Sequence, residues 1–209
     1  MQELITSKGI TRRGFLSGLA PVCALTCLSL NKTLALNFPR EYQAQESSGH
    51  KFDKPYSRQL SFRQVSDIRY RYFISLAKDL EKEMGKEALI EFLKKRTLAE
   101  LLEQGKSYAK RSPDTSFRTF SNIFKNPWME ATLVMEIIED TDTVFEVKVT
   151  ECLVADTFLR AEAGEIGNAA VCIGDYTFAE GFNPKIKMIR DKTLTLGHGY
   201  YNHRYVWQG

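Results

Sequence analysis

The sequence predicts an α+β fold, with N-terminal helices packed on an antiparallel sheet of about four strands and a helical pair inserted between two hairpins. Three observations predict it. Residues 61–111 carry apolar side chains at the three-four spacing of amphipathic helices. From residue 133 the period changes to two, first through Leu133, Met135 and Ile137, then through Phe145, Val147 and Val149. The resulting order of helices, hairpin, helices and hairpin suits an antiparallel sheet covered by helices, not a doubly wound parallel one.

The chain of 209 residues has room for one domain and an N-terminal extension. Residues 1–35 read as a twin-arginine signal peptide. Thr11-Arg12-Arg13-Gly14-Phe15-Leu16 fits the twin-arginine pattern, and a weakly apolar run to Leu30 follows, interrupted by Ser17, Pro21 and Ser29. That run is too short and too broken for a stable membrane span. Thr33-Leu34-Ala35 supplies small residues for cleavage. The expectation is therefore a periplasmic or extracellular mature protein that has used the twin-arginine export machinery and keeps no stable membrane span. Residues 36–60, with Pro39, Ser47, Ser48, Gly49 and Pro55, read as a flexible linker. Residues 61–209 form the single domain.

The formal charge of +3 belongs to the leader, where four basic residues face one acidic residue, leaving 25 of each sign in the remainder. No basic surface is implied, so nucleic acid is not an expected partner; a small-molecule substrate is.

Within the domain, Val65, Ile68, Tyr72, Leu76 and Leu80 predict one apolar stripe, and Gly85 the end of that helix. Leu89, Phe92 and Leu93 mark a second helix. Thr97-Leu98-Ala99-Glu100 has the form of a capping box, which predicts a third helix starting there. Glu139-Asp140-Thr141-Asp142-Thr143 is the turn of the first hairpin. Residues 151–163 and 165–173 read as helices separated by Gly164, residues 185–193 as an alternating stretch, and Tyr201, His203, Tyr205 and Trp207 as one face of a closing strand.

Chemistry concentrates in this second half. On a regular helix Glu165 and Cys172 share a face two turns apart, as nucleophile and acid/base partner or as metal ligands, against the alternative of a solvated glutamate and a buried small hydrophobe. His203 is either a satisfied core imidazole or a functional one. Arg190 either receives a substrate carboxylate through its planar fork or pairs with Glu165, Asp175 or Asp191. Cys152 and Asp156 lie four apart on the preceding helix. Asp175 follows Gly174 near a helix end, and His198 sits between glycines in a turn. Cys152 and Cys172 are the two cysteines left after leader removal. With His203 they form the candidate set for a divalent metal such as zinc. A phosphate-cradling glycine loop, a paired CxxC knuckle and an HExxH stretch are absent from the sequence.

The segment from Cys152 to Trp207 resembles the L-2-amino-thiazoline-4-carboxylic acid hydrolase family. The matching residues are Glu151-Cys152, Gly164-Glu165-Ile166, Ala170-Val171-Cys172-Ile173-Gly174-Asp175, Arg190-Asp191-Lys192-Thr193-Leu194, Gly197 and Asn202-His203-Arg204-Tyr205. The resemblance implies hydrolysis of a cyclic amidine such as 2-aminothiazoline-4-carboxylate through a carbamoyl intermediate on the way to cysteine. Cys172, Glu165, His203 and Asp175 are then the catalytic candidates, and Arg190, Tyr201 and His198 the substrate-binding ones. The sequence departs from the family pattern at Tyr201, in place of a further cysteine, and at Gly199, in place of an acidic residue. These departures point to the alternative, a non-catalytic periplasmic small-molecule-binding or accessory protein that retains the pocket.

Overall fold

A computed structural model describes residues 60–209; the leader and the linker up to residue 59 lie outside the described residues. Helix α1 (Phe62–Met84) opens with a capping box that the sequence reading did not use. The Ser61 hydroxyl accepts from the Gln64 amide while the Gln64 side chain accepts from the Ser61 amide. The helix ends as expected at Gly85, whose φ of +85° is a glycine conformation. Its buried stripe is Ser66, Tyr70, Ile74 and Ala77, whereas Ile68 and Tyr72 are 50% and 80% exposed. The expected stripe fails because Ser66 can face inward: its hydroxyl pairs with that of Thr157, 2.8 Å away.

Helix α2 (Lys86–Arg111) is continuous through Thr97. The expected boundary there does not form. Leu89, Leu93, Thr97, Leu101 and Gly105 recur every four residues on the buried side, so one packing stripe overrides the local capping signal. Short helices α3 (Phe117–Ser121) and α4 (Pro127–Thr132) lead into the hairpin of β1 (Leu133–Asp140) and β2 (Val144–Cys152). Thr141 closes its turn, with its amide on the Val144 carbonyl and its hydroxyl taking the Val144 amide.

Helix α5 (Leu153–Arg160) follows β2 directly. Next comes a longer helical stretch in three parts: α6 (Gly164–Gly167), a π-helical turn (Asn168–Cys172) and α7 (Gly174–Phe182). Strand β3 (Ile186–Ile189), a 3₁₀ turn (Leu194–Leu196) and β4 (Tyr201–Trp207) complete the chain. The sheet order is β1-β2-β4-β3, all antiparallel, so the fold class is α+β as predicted. None of the described helices is long and apolar enough to cross a membrane.

Register fixes the inner face. Phe145, Val147 and Val149 of β2 stand opposite Tyr205, His203 and Tyr201 of β4. This face, with Leu101, Phe120, Phe124 and Phe178, makes one core. A second core joins Tyr70 and Ile74 of α1, Leu89 and Leu93 of α2, Phe158 of α5 and the π turn. Cys152 packs at the margin of the first core and Cys172 at the margin of the second.

Candidate functional site

The π turn sets the site. The Ile173 amide bonds to the Asn168 carbonyl, five residues back, at 3.0 Å. One extra residue in a turn shifts the helical phase by about 100°. Glu165 and Cys172 therefore do not share a face. Glu165 stays 56% exposed in an ion pair with Lys86 at 2.7 Å, whereas Cys172 lines a small internal chamber. The expected thiol–carboxylate stripe is corrected here: the acid beside the thiol is Asp175.

The chamber measures about 20 Å³ and brings Cys152, Cys172, Asp175, Arg190, Tyr201 and His203 together. That volume is roughly the space of one water molecule. The side chains of Arg190, Asp175 and His203 are 4%, 4% and 5% exposed. Nη1 of Arg190 lies 3.2 Å from Asp175 Oδ2 and 3.3 Å from His203 Nε2, and Nη2 donates to the Cys172 carbonyl at 3.0 Å. Tyr176 supports the same guanidinium, its ring centroid 5.0 Å away and its hydroxyl on the Arg190 carbonyl. Arg190 thus takes the ion pair with Asp175 that stood as the alternative in the sequence, and its fork is held by protein acceptors.

An arginine only donates, so His203 Nε2 is the acceptor and Nδ1 carries the proton towards the Tyr205 hydroxyl, 3.2 Å away. Burial, and then the Arg190 charge, hold the imidazole well below its ordinary value of 6.5, so it is neutral at neutral pH. The Tyr201 ring stacks over it at 4.5 Å. The Thr195 hydroxyl, a residue the sequence reading passed over, lies 3.8 Å from Cys172 Sγ. Its turn is held close because Gly164 faces the Thr195 carbonyl where a Cβ would come within 2.3 Å. His198 does not reach the chamber. It is exposed and clasps its own turn, with Nδ1 3.1 Å from the Thr193 amide.

Cys152, Ala155 and Leu194 line both the chamber and a larger outer groove of about 440 Å³. The Cys152 thiol sits at the start of α5, and burial pushes it up to about 12, so it remains a protonated thiol. Arg63, Arg160, Asp156, Glu130 and Glu151 line the groove. Only patterns within one strand or helix were visible in the sequence, so Arg63 and Thr195 carried no signal of their position.

The divalent-metal expectation rests on Cys152, Cys172 and His203. Among the described residues no three His, Cys, Asp or Glu side chains form a metal-binding group. His203 Nε2 and Asp175 Oδ2 approach to 3.4 Å, and Nη1 of Arg190 lies within 3.3 Å of both, so a positive charge already faces this pair. Cys152 and Cys172 form no disulfide with one another.

An α+β domain with a half-buried thiol beside a buried carboxylate, guanidinium and imidazole, next to an open groove, is the class this geometry defines. The chain belongs to the L-2-amino-thiazoline-4-carboxylic acid hydrolase family, whose sequence profile matches residues 66–205. A comparison with curated proteins finds no match. Among solved structures, the chain is similar to a trafficking protein particle complex subunit 3 from Naegleria fowleri covalently bound to palmitic acid. The TM-score is 0.45 at 11% identity, over 69% of this chain and 96% of that one. It is also similar to the phenol-responsive sensory domain of the transcription activator PoxR, at TM-score 0.42 and 14% identity over 65% of this chain and 73% of that one.

Proposed function

We propose that this protein is a hydrolase that opens a small cyclic amidine such as 2-aminothiazoline-4-carboxylate, and that it works after twin-arginine export. The observation that carries the hydrolase reading is the convergence of Cys172, Asp175, Arg190 and His203 on one chamber that shares Cys152, Ala155 and Leu194 with a ligand-sized groove.

In this reading the amidine ring lies in the groove with its C2 carbon at the chamber mouth. Cys172 Sγ attacks C2, and its proton passes to the Asp175 carboxylate. The Thr195 hydroxyl, 3.8 Å from Cys172 Sγ, donates to the charge that develops on sulfur. The ring C–S bond breaks, and the departing sulfur takes that proton back from Asp175. Water then adds to the same carbon, the bond to Cys172 breaks, and a carbamoyl amino acid leaves with the free thiol regenerated. One water is consumed and no other reactant is needed. Proton transfer of this kind contributes about 10²–10⁴-fold to the rate.

Cys172→Ser is expected to abolish release of thiol product from 2-aminothiazoline-4-carboxylate while leaving the circular dichroism and melting curve unchanged. Full turnover in that variant removes Cys172 from the mechanism.

The second reading is a binding or accessory protein that retains the pocket. It draws support from the Arg190 fork being taken up by protein acceptors and from Tyr201 standing where the family pattern has a further cysteine. Calorimetric binding of 2-aminothiazoline-4-carboxylate with no product after prolonged incubation identifies that case.

A further inference from the structure

We propose that Arg63 receives the carboxylate of the bound molecule, and that Asp156 holds the Arg63 guanidinium until that molecule arrives. The identity of the ligand rests on the hydrolase reading; the carboxylate-binding event does not.

Arg190 cannot take this role from within the chamber, because its two terminal nitrogens already serve Asp175, His203 and the Cys172 carbonyl. The groove outside holds two other arginines, Arg63 and Arg160. They differ in how they are held. Arg160 is anchored on two carboxylates, Asp67 and Asp156. Arg63 is 54% exposed, and Asp156 is its ion-pair partner among the described residues. When Arg63 turns to an incoming carboxylate, Asp156 keeps its bond to Arg160 at 2.9 Å. No carboxylate is stranded by the exchange, so it costs little.

Position agrees with this role. Asp156 stands four residues beyond Cys152, a rise of about 6 Å along α5. A five-membered ring bearing a carboxylate bridges that span with its far side at the chamber mouth. Glu130 and Glu151 line the same groove and suit the cationic amidine end. The recognised class is therefore a small dipolar molecule with a carboxylate and an amidine or amine.

The experiment compares 2-aminothiazoline-4-carboxylate with 2-aminothiazoline, which lacks the carboxylate. Arg63→Met is expected to raise KM for the first about tenfold with kcat nearly unchanged, and to leave the second unaffected. Arg63→Lys gives an intermediate KM, since it keeps the charge and loses the fork. Asp156→Asn, which removes the competing carboxylate, lowers KM. If the wild-type protein turns over neither compound, the same comparison is made by calorimetry with thiazolidine-4-carboxylate. Binding that weakens about tenfold in Arg63→Met then supports Arg63 and removes the hydrolase reading alone. Unchanged KM and Kd in Arg63→Met, an equal loss for both compounds, or no carboxylate binding by the wild type overturns the assignment.

Discussion

A neutral imidazole wedged between a tyrosine hydroxyl and a guanidinium ties the stability of this protein to pH at a single residue. The folded value of His203 lies well below 6.5, the value that applies when the chain is unfolded. Above pH 6.5 both states hold a neutral ring, and the stabilisation is fully present. As the pH falls below that point the unfolded chain takes up a proton that the folded chain refuses, so stability is lost. His203→Gln keeps an acceptor for Arg190 and has no such proton to gain. Its melting temperature is expected to change less between pH 7 and pH 5 than that of the wild type. Parallel slopes would show that the imidazole is not the residue responsible. The alternation of β4 told in advance that His203 shares a face with Tyr201 and Tyr205, and the structure shows that this face is the buried one. Its partner was one of several named for Arg190, and only the packing of α7 against the sheet selected Asp175.

At the scale of the elements, two glycines govern how closely α2 and α7 approach. A Cβ at Gly105 would lie 2.3 Å from the Phe178 carbonyl oxygen, and one at Gly181 would lie 2.2 Å from that of Leu102. Both neighbours are backbone and cannot move aside alone. Gly105→Ala is therefore expected to destabilise the protein by about 3 kcal/mol despite the better helix propensity of alanine, read from chemical denaturation. A neutral or stabilising result would mean that the helices can part without cost. The same interface explains a gap in the sequence reading. Residues 174–182 carried no helix assignment, yet Gly174, Phe178, Ala179 and Phe182 are buried along α7. Glycines weaken a local helix signal, and here they are present because another helix lies against them. Strand β2, by contrast, was legible because a strand with one wet face writes its burial into a two-residue period, whereas in β1 a register shift leaves Ile137 exposed against expectation.

For the whole molecule, the groove and chamber lie where the two cores meet, with Cys152 bordering one and Cys172 the other. Ligand in that seam touches both halves of the domain, which explains why no single stretch of sequence defined the site. Arg190 and Cys172 are 18 positions apart and Arg63 and Asp156 are 93 apart, distances over which periodicity carries no information. The proposed export is tested on the full chain. Replacing Arg12 and Arg13 together by lysine is expected to leave unprocessed protein in the cytoplasm, measured by fractionation and intact mass. Normal processing of that variant counts against the twin-arginine route.

The extra residue in the Asn168–Cys172 turn has a consequence for anyone who rebuilds this helix. A graft of a straight helical segment at equal length would keep every residue type and still rotate the thiol by about 100° relative to Glu165 and the residues before the turn, away from Thr195. A graft one residue shorter restores the phase. In this helix, residue count and angular position are separate design variables.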